Sequence, residues 1–235
     1  MIEFAVAIIS IAFFFESVFG FGGGLIAIPL LSLFLGVKDA VTLVLVFQLL
    51  MGALVIKTFK DIKFQEIKLF IPFLLVGTFI GNLTLDLFEE EILQNVLGTS
   101  ILLFLFQRLV LKDVKLPKNS WIESAFGFVG GWFQGMIGTG GPPVTMFLST
   151  VIKENQALRA TLIFVLFVTS ILRVLTSYNA GLFTSELTQD ALLITPFFIG
   201  ALYLGHKVHL RIPEDVYRNA VHTLLALSAL MLLLK

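Results

Sequence analysis

The chain has 235 residues, 57% of them hydrophobic and 14% charged, with 25 phenylalanines and no cysteine. Soluble domains carry about a quarter charged residues, so a mean hydropathy of +0.99 requires a bilayer as part of the solvent. A formal net charge of zero without a basic stripe excludes nucleic acid as an expected partner, and the missing thiol excludes disulfides and cysteine-ligated metals.

The first stretch, "MIEFAVAIISIAFFF", is apolar from its second residue. It lacks a basic leader and a small-residue cleavage site, so it reads as a retained first span over 2–19 rather than a signal peptide. A span needs about 20 apolar residues. Further long segments follow at 39–58, 67–88, 91–111, 120–137, 156–178, 187–206 and 213–234. Two apolar stretches, 24–36 and 142–152, reach only about 15–20 Å as helices and read as half-helices. The alternation of a membrane barrel is absent. The expected fold is an all-α integral membrane protein with about eight transmembrane helices and two short half-helices.

Basic residues choose the sides. The loop 57–68 holds Lys57, Lys60, Lys63 and Lys68, and the loop 108–118 holds Arg108, Lys112, Lys115 and Lys118; both are expected in the cytoplasm. Between them "DLFEEE" (86–91) has four acids and no base, which places it outside. Loop 176–190 has no Lys or Arg and reads as outside, and 206–211, with Lys207 and Arg211, as inside. Both chain ends are then outside. Segments 120–137 and 142–152 must both cross, or dip in and return together.

The two halves resemble each other. Glu16-Ser-Val-Phe-Gly20-Phe-Gly22-Gly23-Gly24 aligns with Gln134-Gly-Met-Ile-Gly138-Thr-Gly140-Gly141-Pro142 at an offset of 118. Further on, Pro72-Phe73 aligns with Pro196-Phe197, Gly81 with Gly205 and "EEILQNV" with "EDVYRNA", at an offset of 124. Residues 1–112 and 113–235 are therefore read as two repeats within one membrane domain. The opposite sides expected for 86–91 and 206–215 make the repeats inverted, an arrangement that places substrate at the repeat interface near the bilayer midplane.

The glycine stretches carry the candidate chemistry. "GTGGPP" (138–143) is a break followed by a helix start, because proline is tolerated in the first turn. A helix beginning there offers unpaired N–H groups and a partial positive charge, suited to a small anion. Gly20, Gly22, Gly23 and Gly24, with Gly138, Thr139, Gly140, Gly141 and Pro142, are the expected substrate lining; the competing reading is that glycines only let helices approach. Gly77, Gly81, Gly127, Gly130 and Gly131 fit that packing role. Gln48, mid-span in "VLVFQLLMG", needs a partner in a neighbouring helix or the substrate. Gln134, at the place equivalent to Glu16, is a candidate hydrogen-bonding contact for the substrate or an interhelical tie. Arg173, in "TSILRVLTS", either contacts the anion or snorkels to the interface. Glu16, deep in an apolar stretch, is the candidate for proton coupling or gating; the competing reading is a partly wet carboxylate near the cytoplasmic end of its span. His222 reads as a packing residue. No metal site, cofactor motif or nucleophile–base pair emerges.

At these residues the chain resembles a known family. "GFGGGLIAIPLL" (20–31), followed one duplication later by "GMIGTGGPPVTMFL" (135–148), resembles the TauE/SafE family of sulfite exporters and toluene sulfonate uptake permeases. The resemblance implies a small duplicated membrane protein that moves sulfite, sulfonates or other small organic anions. The expectation is a secondary transporter, not an enzyme, in the cell (inner or plasma) membrane, working by alternating access with sulfite, a sulfonate or a small carboxylate as substrate. A passive anion channel and a non-transporting scaffold are the alternatives. Lipid is the expected surrounding, and a homodimer is left open.

Overall fold

In the computed structural model, residues 2–110 and 119–208 are described, with 226, 229, 230 and 233. Nine α-helices appear among the described residues: α1 (Ile2–Phe19), α2 (Gly23–Leu35), α3 (Val37–Leu54), α4 (Phe70–Leu87), α5 (Glu90–Val110), α6 (Ser120–Ile137), α7 (Gly141–Val151), α8 (Asn155–Asn179) and α9 (Ser185–Val208). Two short 3-10 turns, Ile56–Asp61 and Phe64–Glu66, join α3 to α4. Four helices, α1, α3, α8 and Ser185–Lys207 of α9, are long and apolar enough to cross a membrane. The chain is thus a multi-pass membrane protein, and its regular structure among the described residues is all helical. Both half-helices expected from sequence are present as α2 and α7. The segment expected at 39–58 ends early, at Leu54. Its apolar run gives way to Lys57, Lys60 and Asp61, and the chain tightens into 3-10 turns there. The basic loop beyond 110 and most of the final segment at 213–234, with His222, lie outside the described residues.

The helices group into two compact units, each drawing on both halves of the sequence. The first comprises Met1–Val44, Phe88–Val114 and Thr184–Lys235, and the second Leu45–Leu87 and Lys115–Phe183. In the first unit, α1 lies along α9. Phe13 meets Phe198 edge-on at 5.1 Å, and the Ser17 hydroxyl donates to the Leu202 carbonyl at 3.0 Å. One turn further, a β-carbon on Gly205 would sit 2.7 Å from the Phe14 carbonyl oxygen, so only glycine lets the backbones come this close. The 185-residue stagger of both 13–198 and 17–202 makes the two helices parallel. At the start of α3, the Val37 amide donates to the Glu90 carboxylate.

The second unit is built on α4 against α6. Glycines line both sides of this seam. β-Carbons on Gly127, Gly131 and Gly135 of α6 would run into the carbonyls of Phe70, Leu74 and Thr78, a constant stagger of 57. From the other side, Gly77 and Gly81 of α4 face the carbonyls of Phe128 and Trp132. The packing role read for Gly77, Gly81, Gly127, Gly130 and Gly131 is what the geometry shows, with Gly130 admitting Val144 of α7 rather than α4. The Glu123 carboxylate accepts from the Leu69 and Phe70 amides at 3.2 and 3.0 Å, capping α4 from the first turn of α6. The chain entering α4 meets the chain entering α8, through Lys63–Glu154 at 3.4 Å and Gln156–Asp61 at 2.9 Å. Helices α4, α6 and α8 therefore start at one end and run parallel. Helix α7, about 16 Å long at 1.5 Å per residue, returns to that end, because Glu154 just beyond it meets Lys63.

Candidate functional site

Two glycine turns carry the residues singled out in the sequence. In the first unit, α1 ends at Phe19 and Gly20 adopts a left-handed φ of 85°, its N–H closing on the Glu16 carbonyl at 2.7 Å. In the second, α6 ends at Ile137 and Gly138 adopts a φ of 68°, its N–H closing on the Gln134 carbonyl at 3.1 Å. Non-glycine residues pay a steric penalty in this region, so both turns need glycine for backbone reasons before any role with a ligand. Gly22 precedes α2 and Gly140 precedes α7 as N-cap residues.

The side chain four residues before each turn reaches across it. The buried Glu16 carboxylate hydrogen-bonds to the backbone N–H groups of Gly23 and Gly24 at the start of α2, leaving Oε2 without a partner. Gln134 does the equivalent with a neutral group: its Oε1 accepts from the Gly140 amide at 2.9 Å. Gly140 has no room for a side chain, since a β-carbon there would strike the Gly130 carbonyl and Gln134. Gly23 is crowded only by the side chains of Glu16 and Phe13. Gly141 and Pro142 open α7, where proline lacks the amide that would go unpaired. Thr139 is buried in the turn.

Around the second turn a polar cluster closes. Gln48 of α3 donates from Nε2 to the Gly138 carbonyl at 3.3 Å. Its Oε1 accepts from Gln134 Nε2 at 3.3 Å and from Arg173 Nη1 at 3.2 Å. Three residues chosen separately from the sequence, Gln48, Gln134 and Arg173, thus form one network with Gly138 and Gly140. Glu16, Gly20 and Gly22–Gly24 belong to the other unit.

Arg173 does not snorkel: it is 0% exposed. Its Nε and Nη2 have no hydrogen-bond partner among the described residues. A guanidinium has five donors in a rigid fork, and a buried charge without a counter-ion costs several kcal/mol. The open Nε–Nη2 edge is the face that takes two oxygens of an anion in parallel. Among the described residues, no group of three or more His, Asp or Glu side chains could hold a metal ion.

Sequence reasoning passed over Asn82 and Ser177. Both are buried, and the Ser177 hydroxyl donates to Asn82 Oδ1 at 3.2 Å between α4 and α8. Short polar side chains on apolar helices are common interhelical ties, and nothing in their spacing sets these apart. Their position, one turn beyond Arg173 on α8, emerges only from the folded pairing.

No curated protein and no solved structure matches the chain. The profile of the sulfite exporter TauE/SafE family matches residues 5–232. With nearly the whole chain covered, the protein belongs to the sulfite exporter TauE/SafE family of membrane transporters.

Proposed function

We propose that the protein is a secondary carrier for a small sulfur oxyanion or organosulfonate, with Arg173 as its principal anion contact. The observation that carries this reading is the buried guanidinium with Nε and Nη2 unpartnered, held by Gln48 beside the glycine turn before α7. An anion there neutralises the charge and fills the open donors. Gln48, Gln134, Gly138, Thr139, Gly140, Gly141 and Pro142 shape this lining. In the other unit, the donors of Gly23 and Gly24, expected from sequence to line the substrate, are met by Glu16. Glu16 is accordingly the proposed coupling or gating group, with Gly20 and Gly22 forming the turn it spans.

Alternating access by two inverted repeats, 1–112 and 113–235, is the proposed mode, with about eight crossings counted from sequence. Two pairs of equivalent contacts support the duplication. Gly81 lies against the Trp132 carbonyl and Gly205 against the Phe14 carbonyl. Gly135 lies against the Thr78 carbonyl, and the Ser17 hydroxyl bonds the Leu202 carbonyl. Moving the α4 residues forward by 124 and the α6 residues back by 118 converts each α4–α6 contact into its α9–α1 counterpart. The proposed setting is the cell membrane, with loops 57–68 and 108–118 cytoplasmic and both termini outside. A homodimer draws no support from the described residues and is not part of the proposal.

Counterflow in proteoliposomes tests the reading. Labelled sulfite should enter faster, and saturably, when vesicles are preloaded with unlabelled sulfite. Linear flux without counterflow would favour a channel, and flux equal to empty vesicles would contradict transport of this anion class.

A further inference from the structure

Thr78 of α4 belongs to none of the motifs read from the sequence. Its side chain is fully buried, and its hydroxyl has no partner among the described residues. Most helical threonines in this protein behave differently. Thr42, Thr161, Thr169 and Thr195 each donate to the carbonyl four residues back, the usual refuge of a hydroxyl in an apolar helix.

Two registers fix where Thr78 lies within its unit. The α4–α6 seam sets Gly135 against Thr78, so Thr78 stands at the level of the adjoining Gln134. Helices α4 and α8 are parallel, and the Asn82–Ser177 bond sets their stagger at 95. The same stagger carries Thr78 onto Arg173. Side chains four apart share a helix face, so Thr78 with Asn82, and Arg173 with Ser177, form the facing rows. Arg173, Gln134 and Thr78 therefore occupy one layer of the α4–α6–α8 bundle. That layer holds three buried donors without acceptors: Arg173 Nε, Arg173 Nη2 and Thr78 Oγ1.

The geometry points to Thr78 as a specificity-determining residue: we propose that its hydroxyl donates the third hydrogen bond to an anion held side-on by Nε and Nη2 of Arg173, favouring a three-oxygen sulfonate head over a two-oxygen carboxylate. The inference rests on the reading of Arg173 as the anion contact. A planar carboxylate spends both oxygens on the fork of a guanidinium. A pyramidal sulfonate or sulfite keeps a third oxygen out of that plane, where it needs a separate donor. A carboxylate leaves the buried Thr78 hydroxyl without an acceptor, and buried polar groups left unpaired are what make such discrimination steep.

The test compares methanesulfonate with acetate, which share a methyl group and differ only in the head, by titration calorimetry on purified protein in detergent at fixed pH. Wild-type protein should prefer methanesulfonate. Thr78→Val should weaken methanesulfonate about tenfold or more, the loss expected for one hydrogen bond to a charged group, while acetate changes by less than about twofold. Thr78→Ser should keep the preference. If valine is not accommodated beside α6, Thr78→Ala removes the same hydroxyl with less bulk. A folded Thr78→Val or Thr78→Ala protein that retains the wild-type preference, or weakens both anions alike, overturns the inference. Arg173→Met separates the two ideas: it should abolish binding of both anions if the Arg173 reading is right, whatever Thr78 does. A wild-type protein that binds neither anion overturns both.

Discussion

At the end of α1 a glutamate reaches over the following turn to the first amides of α2; at the end of α6 a glutamine reaches the amide of Gly140, the residue before α7. The backbones of the two turns match, with left-handed glycines at 20 and 138 closing on the carbonyls of 16 and 134. The charges do not. The first turn brings its own anion, the Glu16 carboxylate. The second has a neutral cap and, through Gln48, a guanidinium whose open edge meets no carboxylate among the described residues. The layer beside each turn differs too: where the second unit has Thr78 against Gly135, the first has Leu202 against Ser17. One framework thus gives a turn with a carboxyl group that keeps one oxygen unpaired and a turn with a guanidinium that keeps two donors unpaired. A ligand has most to offer where the protein leaves charge and donors unanswered.

The largest expected effect is at the turn that lacks an anion. Arg173→Met removes two open charge-assisted donors, worth roughly 1.5–3 kcal/mol each, so uptake into proteoliposomes should fall on the order of a hundredfold or more. Its melting temperature without ligand should not fall, because an uncompensated buried charge has gone. A variant that loses uptake only because it melts early would make Arg173 a structural residue. Gln134→Glu should make the second turn resemble the first. A carboxylate beside Gln48 and Arg173 competes with the external anion, and affinity should drop about tenfold. Unchanged affinity would mean that the charge at this position does not distinguish the turns.

Stability should separate the two turns in a second way. Gly140→Ala forces a methyl against the Gly130 carbonyl and Gln134 and should cost about 1–3 kcal/mol, as overpacking of a close backbone contact does. Gly23→Ala meets side chains instead, chiefly the end of Glu16, so its melting temperature should fall less. Equal losses would show that the Glu16 carboxylate is held as rigidly as backbone. The smallest effect is expected from Glu16→Gln, which keeps an oxygen for the Gly23 and Gly24 amides but cannot titrate. An ionised carboxylate holds those amides more tightly than a protonated one. If release of the amides limits turnover, wild-type uptake should slow severalfold as pH rises, and the variant should show a flat profile. Parallel profiles would remove Glu16 from coupling.

Much of the framework was legible in the sequence. Hydropathy located α1, α8 and α9 closely, and the brevity of 24–36 and 142–152 announced α2 and α7. The end of α3 was read four residues too far, because an apolar Val55-Ile56 pair hid the change to 3-10 turns. Gln48, Gln134 and Arg173 stood out singly, since polar groups in apolar runs are costly. Their convergence did not, because it depends on the stagger of α3, α6 and α8. Thr78, Asn82 and Ser177 were invisible for the same reason: threonine, asparagine and serine on a helix show their worth only once the facing row is known. The capture of the Gly23 and Gly24 amides by Glu16 was also hidden, although the four-residue spacing from Glu16 to Gly20 placed the carboxylate one turn from the start of the loop that leads to them.

The measurement that tests the account most directly is titration of purified wild-type and Arg173→Met protein with methanesulfonate, beside their melting curves. The account predicts saturable binding to the wild-type chain, none to the variant, and comparable melting temperatures without ligand. Equal binding by both proteins would contradict it, because the open edge of Arg173 would then have no part in holding the anion.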